Sequence, residues 1–332
     1  MICGQYAKAE VTDSNTLGGY FYSQRLSTKL REAVQPMSKC RQFCDAKDAS
    51  AQGQKKGDIF TFDIVMNVAT QGATLVETNV MPETNFTVTQ GTGTVTEYGN
   101  SVPYSGKLEA LSQFDVRKSV MGALSNDAAK AFDNAAFAQF KLTPLRGVGT
   151  TSGGTLVVAT ATTVTASNTT ALYKGYVTQI RDTMVERNIP YYDGDSYVCL
   201  SHPTTLRALK DDLVSVNQYV ETGYTKIING EIGKFDNVRF VEQNQIAKSS
   251  AGSTIGTWAG GKSNWALFFG SDTVMEGIAI PEETRAKIPT DYGRSKGVAW
   301  YALLGYAIVH NWGTTLDPGN AQARILAWDS AG

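Results

Sequence analysis

Residues 108–140, LEALSQFDVRKSVMGALSNDAAKAFDNAAFAQF, constrain this chain more than any other stretch, because they carry its longest clean helical period. Phe114, Met121, Leu124, Ala128, Phe132 and Ala135 recur at spacings of three, four or seven, and Val120 and Ala131 join the same stripe on a helical wheel. Asp115, Ser119, Gly122, Asn126, Lys130 and Asp133 fall on the opposite face, which predicts a polar outer side. As one continuous or gently bent helix, with Gly122 the site of any kink, the segment is about 50 Å long. A helix of that length with a narrow apolar stripe predicts a backbone against which other elements lie.

The flanks decide what it supports. Upstream, Ile59, Phe60, Phe62, Ile64, Val65 and Val68 predict one strand, and Thr87, Val88, Thr94, Val95 and Thr96 another, both rich in β-branched residues. The intervening ATLVETNVMPETNF is polar and carries Pro82. A two-stranded ribbon with few large side chains is marginal alone in water, so cover from outside its own domain is expected, and a neighbouring subunit is the natural source. Residues 1–54 are polar, with small apolar groups at Tyr20, Phe21 and Tyr22 and at Leu26, Leu30 and Val34. They read as an arm that packs on something else, with short helices expected near 27–33 and 39–46.

Downstream, Pro144 supplies a stop, and residues 147–170 read as a Gly/Ser/Thr-rich boundary loop around a short strand at 156–159. Leu172, Tyr176, Val177, Ile180 and Met184 predict a second amphipathic helix, capped by Thr169 or Thr170. Strands are expected at 196–200, 237–242, 265–269 and 299–309, a helix from Pro203 through Lys210, and a helical turn at 226–229. Strands and helices interleave without a regular βαβ period. The fold class is therefore α+β, in two intimately connected parts.

Composition narrows the function. A chain of 332 residues can bury a real core in one large or two ordinary domains. Lys+Arg 30 against Asp+Glu 31 lacks the basic excess of a dedicated nucleic-acid binder. Charged residues, at 18%, fall below the usual quarter, which is compatible with a surface covered by other subunits. The start shows no basic segment followed by an apolar one, and the uncharged apolar run at 297–309 is too short to span a bilayer. A soluble protein made in a cytosol is expected.

Five motifs invite a catalytic or ligand reading, and each has a plainer one. GTWAGGKS, from Gly256 to Gly261, Lys262 and Ser263, satisfies the phosphate-loop pattern. Such a loop needs a buried strand before it and a helix after it, whereas AKSSAGSTI is polar and NWALFFG reads as a strand. Cys40 and Cys44, with three residues between them, lack two further ligands at finger-like spacing, so they and Cys3 and Cys199 read as reduced thiols. His202 beside Pro203 reads as a helix cap and His310 as the packed end of a strand. Asp193 and Asp195 lack the other ligands of a calcium loop and read as turn chemistry. Asp211 with Asp212, and Glu282 with Glu283, are adjacent in sequence and read as solvated or intersubunit charge. Nothing assembles a nucleophile, a base and oxyanion donors, so no catalysis, metal or cofactor is expected.

The order of elements resembles the major capsid proteins of tailed bacteriophages, the Hong Kong 97 fold: arm, long two-stranded loop, spine helix, then a mixed domain whose last strands return to the spine. Leu75, Val76 and Glu77, followed by Met81 and Pro82, look like the Leu-x-Glu-Gly…Pro segment in the extended loop of N-four-like coliphage capsid proteins, with Thr78 in place of the glycine. VTEYG at 95–99, DSYVCLSHP at 195–203 followed by Leu206 and Arg207, and NGEIG at 229–233 running through Phe240, Val241 and Glu242 resemble further segments of that family.

The resemblance spans roughly 56–309. It implies an N-terminal arm at 1–55, an extended loop at 56–106, a spine helix of the peripheral domain at 107–146, an axial domain at 147–280, and returning strands with a C-terminal tail at 281–332. It further implies a non-enzymatic shell protein of the virion, made in the host cytoplasm. Hexamers and pentamers would form an icosahedral head, with a portal, a scaffold or decoration protein as partners and packaged double-stranded DNA nearby, and no membrane. Expected interface residues are Glu77, Met81, Glu83 and Phe86 at the loop tip, Asp115, Lys130 and Asp133 on the outer face of the spine, and Glu282, Glu283 and Arg285. An encapsulin-like compartment shell, another phage structural protein such as a tail or decoration subunit, and a nucleotide hydrolase using Gly256 to Ser263 are the competing readings.

Overall fold

The computed structural model describes residues 39–48, 59–65, 72, 74–78, 80–81, 83–86, 88–112, 114–149, 154–159, 170–217, 233–243, 265–289, 291–310 and 323–329. Most of the arm, the GTWAGGKS motif, the turn at 226–229, Thr169 and most of NGEIG lie outside the described residues.

Two sheets and a ribbon carry the fold. The four-stranded sheet runs in the order β1 (Asp45–Asp48), β11 (Val274–Ala286), β12 (Ser295–Ile308), β4 (Thr96–Ser105). Its centre is the long antiparallel β11–β12 pair, flanked by β4 antiparallel to β12 and β1 parallel to β11. The seven-stranded sheet has the order β6 (Leu156–Ala159), β5 (Leu145–Gly149), β13 (Ile325–Trp328), β10 (Ala266–Phe269), β7 (Tyr197–Ser201), β9 (Val238–Glu242), β8 (Lys234–Phe235). β5, β7, β10 and β13 are buried on both faces; β7, β10 and β13 accordingly read as unbroken apolar or small-residue runs, whereas β5 carries Arg146, which is paired with Asp329. β2 (Ile59–Val65) and β3 (Val88–Thr94) form the ribbon predicted from the β-branched runs, in register from Ile59 opposite Thr94 to Val65 opposite Val88.

The predicted long helix is two helices. α1 (Gly106–Leu111) ends at Ser112, and α2 (Val116–Phe140) starts after Asp115, so the break lies at 112–115 and Gly122 is inside an unbroken helix. Local side-chain bonds set the two helix starts and the break between them. Ser105 Oγ accepts from Leu108 N, Ser112 Oγ accepts from Phe114 N, and Asp115 Oδ1 accepts from Lys118 N. α2 is still about 37 Å long. Its buried side chains are Val116, Val120, Leu124, Ala128, Phe132, Ala136 and Phe140, with Asp133 and Phe137, whereas Met121 is exposed. A strict every-fourth pattern drifts about 40° per step, so the buried face winds around the helix. Phe132, towards its C-terminal end, meets Tyr98 and Trp300 edge-on at 5.9 and 5.3 Å, and Phe140 meets Phe269 of the other sheet at 5.0 Å. One core thus joins helix, β12 and β10.

α3 (Lys174–Glu186) and α4 (Arg207–Asn217) cover the second sheet with a separate core around Tyr176, Ile180, Met184 and Trp328. The N-terminus of α3 is not capped by Thr170. Its N-cap is Tyr173, and Asp212 of α4 accepts from Lys174 N at 3.0 Å. The helix after Pro203 begins later than predicted, at Arg207, behind a turn in which His202 Nδ1 accepts from Thr204 N. Within 281–332, expected as returning strands of the peripheral domain and a C-terminal tail, β12 joins the four-stranded sheet and β13 the seven-stranded one, antiparallel to β10 and parallel to β5. Among the described residues, no helix is long and apolar enough to cross a membrane.

Candidate functional site

Open surfaces, and the joints that aim them, are the features of this fold through which it can act on a partner. The ribbon shows both. Phe60, Phe62 and Ile64 alternate with exposed or half-buried residues and bury one face of β2 against Ala279, Ala307 and Val309. Gly91 and Gly93 on β3 accept the two rings, since a Cβ there would lie 2.1 Å from Phe62 and 2.2 Å from Phe60. At Gly305 on β12 a Cβ would lie 2.2 Å from Thr94 O, so glycine lets β3 cross onto the sheet. The base of the ribbon is therefore covered from outside its own segment, as expected, but by strands of the same chain and not by a neighbouring subunit. Its far end is not. Leu75, Val76, Val80, Met81 and Phe86 are exposed, Val80 at 91%, as are the predicted contact residues Glu77 and Glu83.

The predicted spine residues divide. Asp115 and Lys130 are exposed, Asp115 serving also as the N-cap of α2. Asp133 is 1% exposed and faces its own chain, so it is withdrawn as an interface residue. Its Oδ1 accepts from Cys40 N at 2.6 Å and Arg41 N at 3.1 Å, and its Oδ2 accepts from Gln243 Nε2 at 2.7 Å. Burial raises its carboxyl above the ordinary carboxylate value, with those donors opposing. The wheel places Asp133 outside because it cannot see that the arm returns over this part of the helix.

The arm's last described segment is docked, not loose. A 3₁₀ turn, Arg41–Phe43, leads into β1, which replaces the helix expected at 39–46 by a turn and a parallel edge strand. Phe43 packs edge-on against Tyr192 and Phe269, both at 5.5 Å. Arg41 lies over the Phe132 ring at 4.7 Å, donates from Nε to Glu276 at 2.9 Å, and forks onto both oxygens of Glu282 at 3.2 Å. Tyr306 OH donates to the same Glu276 oxygen at 3.0 Å. Arg41 is the residue the sequence reading missed. Its partners lie 91 to 241 positions away, and no local pattern announces them.

Glu282, Glu283 and Arg285 stand together on the outer half of β11, where residues 281–289 are exposed. Glu282 is engaged by Arg41, whose hydrogen bond holds its carboxyl below the usual value. Glu283 pairs with Arg285, and Arg285 stacks over Tyr301 at 4.1 Å. The hairpin tip beyond them exposes Ile288 and Tyr292, with Asp291 and Tyr292 at positive φ.

Among the described residues, no cluster of His, Cys, Asp and Glu could hold a metal ion. Burial pushes the Cys40, Cys44 and Cys199 thiols up, which favours the neutral thiol over the thiolate at all three. His310 Nε2 meets Asp272 Oδ2 at 3.0 Å, and Arg324 meets the same oxygen at 3.2 Å, a packed ion cluster at the end of β12. The element after GTWAGGKS is strand β10, as its apolar run predicts, not a helix.

The comparisons agree with this architecture. Solved structures similar to the chain include the capsid of cyanophage P-SCSP1u, at 13% identity, covering 94% of this chain and 93% of that one with a TM-score of 0.67. The capsid asymmetric unit of cyanophage Pam1 matches at 12% identity, covering 93% and 97%, with a TM-score of 0.66. The capsid of Ralstonia phage GP4 matches at 15% identity, covering 93% and 95%, with a TM-score of 0.63. They establish the fold, that of Hong Kong 97-type capsid proteins. No curated protein matches the chain. The family model described as phage capsid protein matches residues 88–318, from the ribbon's returning strand to beyond β12, and the chain therefore belongs to the phage capsid protein family.

Proposed function

We propose that this chain is a major capsid protein that builds the hexamers and pentamers of an icosahedral phage head around packaged double-stranded DNA. The observation that carries the reading is the ribbon. Its base is packed on its own β11–β12 pair, while its far end presents Leu75, Val76, Val80, Met81 and Phe86 to solvent. Exposed apolar side chains gathered at the end of a ribbon are expected of an element that finishes its burial on another molecule. The contact is heterologous, with the ribbon of one subunit on the spine region of the next, and head-to-tail contacts of that kind close into rings.

Within this reading the seven-stranded sheet is the axial domain, and the four-stranded sheet with α2 is the peripheral domain. Glu77, Met81, Glu83, Phe86, Asp115, Lys130, Glu283 and Arg285 supply contact chemistry, and Glu282 is shared with Arg41. The near-zero net charge suits a container that holds DNA without reading its sequence. A portal and a scaffold or decoration protein complete the head. The LVET…MP and DSYVCLSHP segments favour a position near the N-four-like coliphage capsids. Deleting residues 76–86 tests the ribbon. The shortened chain is expected to fold, judged by its circular dichroism and thermal transition, and to sediment as subunits or rings without stable shells. Normal shell assembly by that variant would refute the contact.

A further inference from the structure

β11 is not a regular strand. Its register against β12 shifts between Ile278 and Ile280 and again between Ile280 and Glu283. The inner part, residues 275–278, is paired by β1 on one side and β12 on the other. The outer part, residues 282–286, is exposed and, among the described strands, paired with β12 alone. Glu276 lies before the two shifts and Glu282 after them. In a straight strand, positions six residues apart stand about 20 Å from one another, farther than one guanidinium can bridge through two glutamates. Yet Arg41 reaches both carboxylates, Glu276 at 2.9 Å and Glu282 at 3.2 Å. Each shift takes up one extra residue of β11, which shortens the run between Glu276 and Glu282, and the arginine holds together two like charges that would otherwise favour a straighter strand.

We propose that Arg41 is a clamp across this hinge. Docking of residues 40–41 sets the angle at which the outer β11–β12 hairpin, with Ile288 and Tyr292 at its tip, projects from the body. The arm side of the clamp is itself fixed. The N–H groups of Cys40 and Arg41 are held by Asp133, and the guanidinium lies on the Phe132 ring. Arm, spine helix and hairpin are thereby joined through one side chain, so release of the arm frees the hairpin, whereas the arm keeps its anchor on Asp133 when the hairpin alone is released. A lysine keeps the charge but lacks the fork that takes Glu276 and both oxygens of Glu282 at once.

The test is hydrogen exchange on the full chain kept dissociated, comparing wild type with Arg41→Lys and Glu282→Gln. Glu282→Gln changes an exposed side chain and leaves the arm's anchor on Asp133 intact. In both variants the amides of residues 279–301 are expected to exchange about tenfold faster, with β7 unchanged as an internal control. In Glu282→Gln, the amides of residues 40–44 are expected to keep most of their protection. Unchanged exchange of the hairpin in both variants would overturn the clamp. So would acceleration spread equally over β7, which would mean general destabilisation. The consequence for assembly rests on the shell reading: particles formed by either variant are expected to show a broader spread of diameters than wild type. If wild type forms no shells while the exchange result holds, the shell reading fails and the clamp stands.

Discussion

Replacing Asp133 distinguishes a structural acceptor from a surface charge, and the structure sets the size of the effect. Asp133→Ala strands three donors: Cys40 N and Gln243 Nε2 in buried surroundings, and Arg41 N at the edge of them. A buried donor without its acceptor costs about 1–3 kcal/mol. Part of that is returned, because the carboxylate no longer has to be desolvated, so the net loss is about 2–5 kcal/mol. Asp133→Asn is a milder change. Its carbonyl oxygen can still take Cys40 N and Arg41 N, and Gln243, whose Oε1 lacks a described hydrogen-bond partner, can turn over to accept from the new amide. A loss of about 1 kcal/mol or less is expected.

Urea unfolding of the dissociated subunit, followed by tryptophan fluorescence, measures both variants, and limited proteolysis around residues 39–48 reports whether the arm has come away. The pH dependence adds a signed check. The folded carboxyl titrates above its unfolded value of about 3.9, so the folded state favours the protonated form. Its stabilising contribution is full below the unfolded value and is lost as pH rises through the raised folded value. The difference between wild type and Asp133→Asn should therefore shift against wild type over that window. Equal stability of the Ala and Asn variants, with the arm still protected in both, would refute the hydrogen-bond account.

Two further perturbations probe the second sheet and its edge. Asp329→Ala leaves the 3% exposed Arg146 guanidinium without its carboxylate at 3.1 Å and should cost about 3–5 kcal/mol, whereas the Arg146→Met, Asp329→Leu pair should recover most of that in the same urea measurement. Asp272 titrates below the ordinary carboxylate value, chiefly through the hydrogen bond from His310 and with Arg324 adding to it. Its contribution is present above the unfolded value and is lost as pH falls through the lower folded value, so Asp272→Asn should flatten the acid side of the thermal stability profile.

Much of the fold was legible because the relevant physics is local. Alternation in 59–65 and the β-branched run at 88–96 give the ribbon, and the apolar runs at 197–201 and 266–269 give buried central strands. What was missed depends on partners distant in sequence. β11 escaped because Pro281, Glu282 and Glu283 interrupt its apolar pattern where the two bulges occur. β13 is four residues whose strand character comes from insertion between β5 and β10. The break at 112–115 carried a signal that a single wheel averages away: Ser105 and Asp115 are both good N-caps, which marks two helix starts. The same averaging put Met121 inside and Asp133 outside, because a wheel assumes one partner along one straight face. Here the buried side winds from the four-stranded sheet towards the arm and the second sheet. Of the proposed contact residues, those at the ribbon tip were readable as apolar groups in a polar loop. Arg41 was not readable at all.

Electron microscopy of the full chain, expressed alone or with the other head proteins, tests the central claim most directly. Closed polyhedral shells of uniform diameter are predicted, with density for residues 75–86 of each subunit lying across the spine helix of its neighbour. Monomers, open tubes, or shells in which that density folds back on its own subunit would contradict the account.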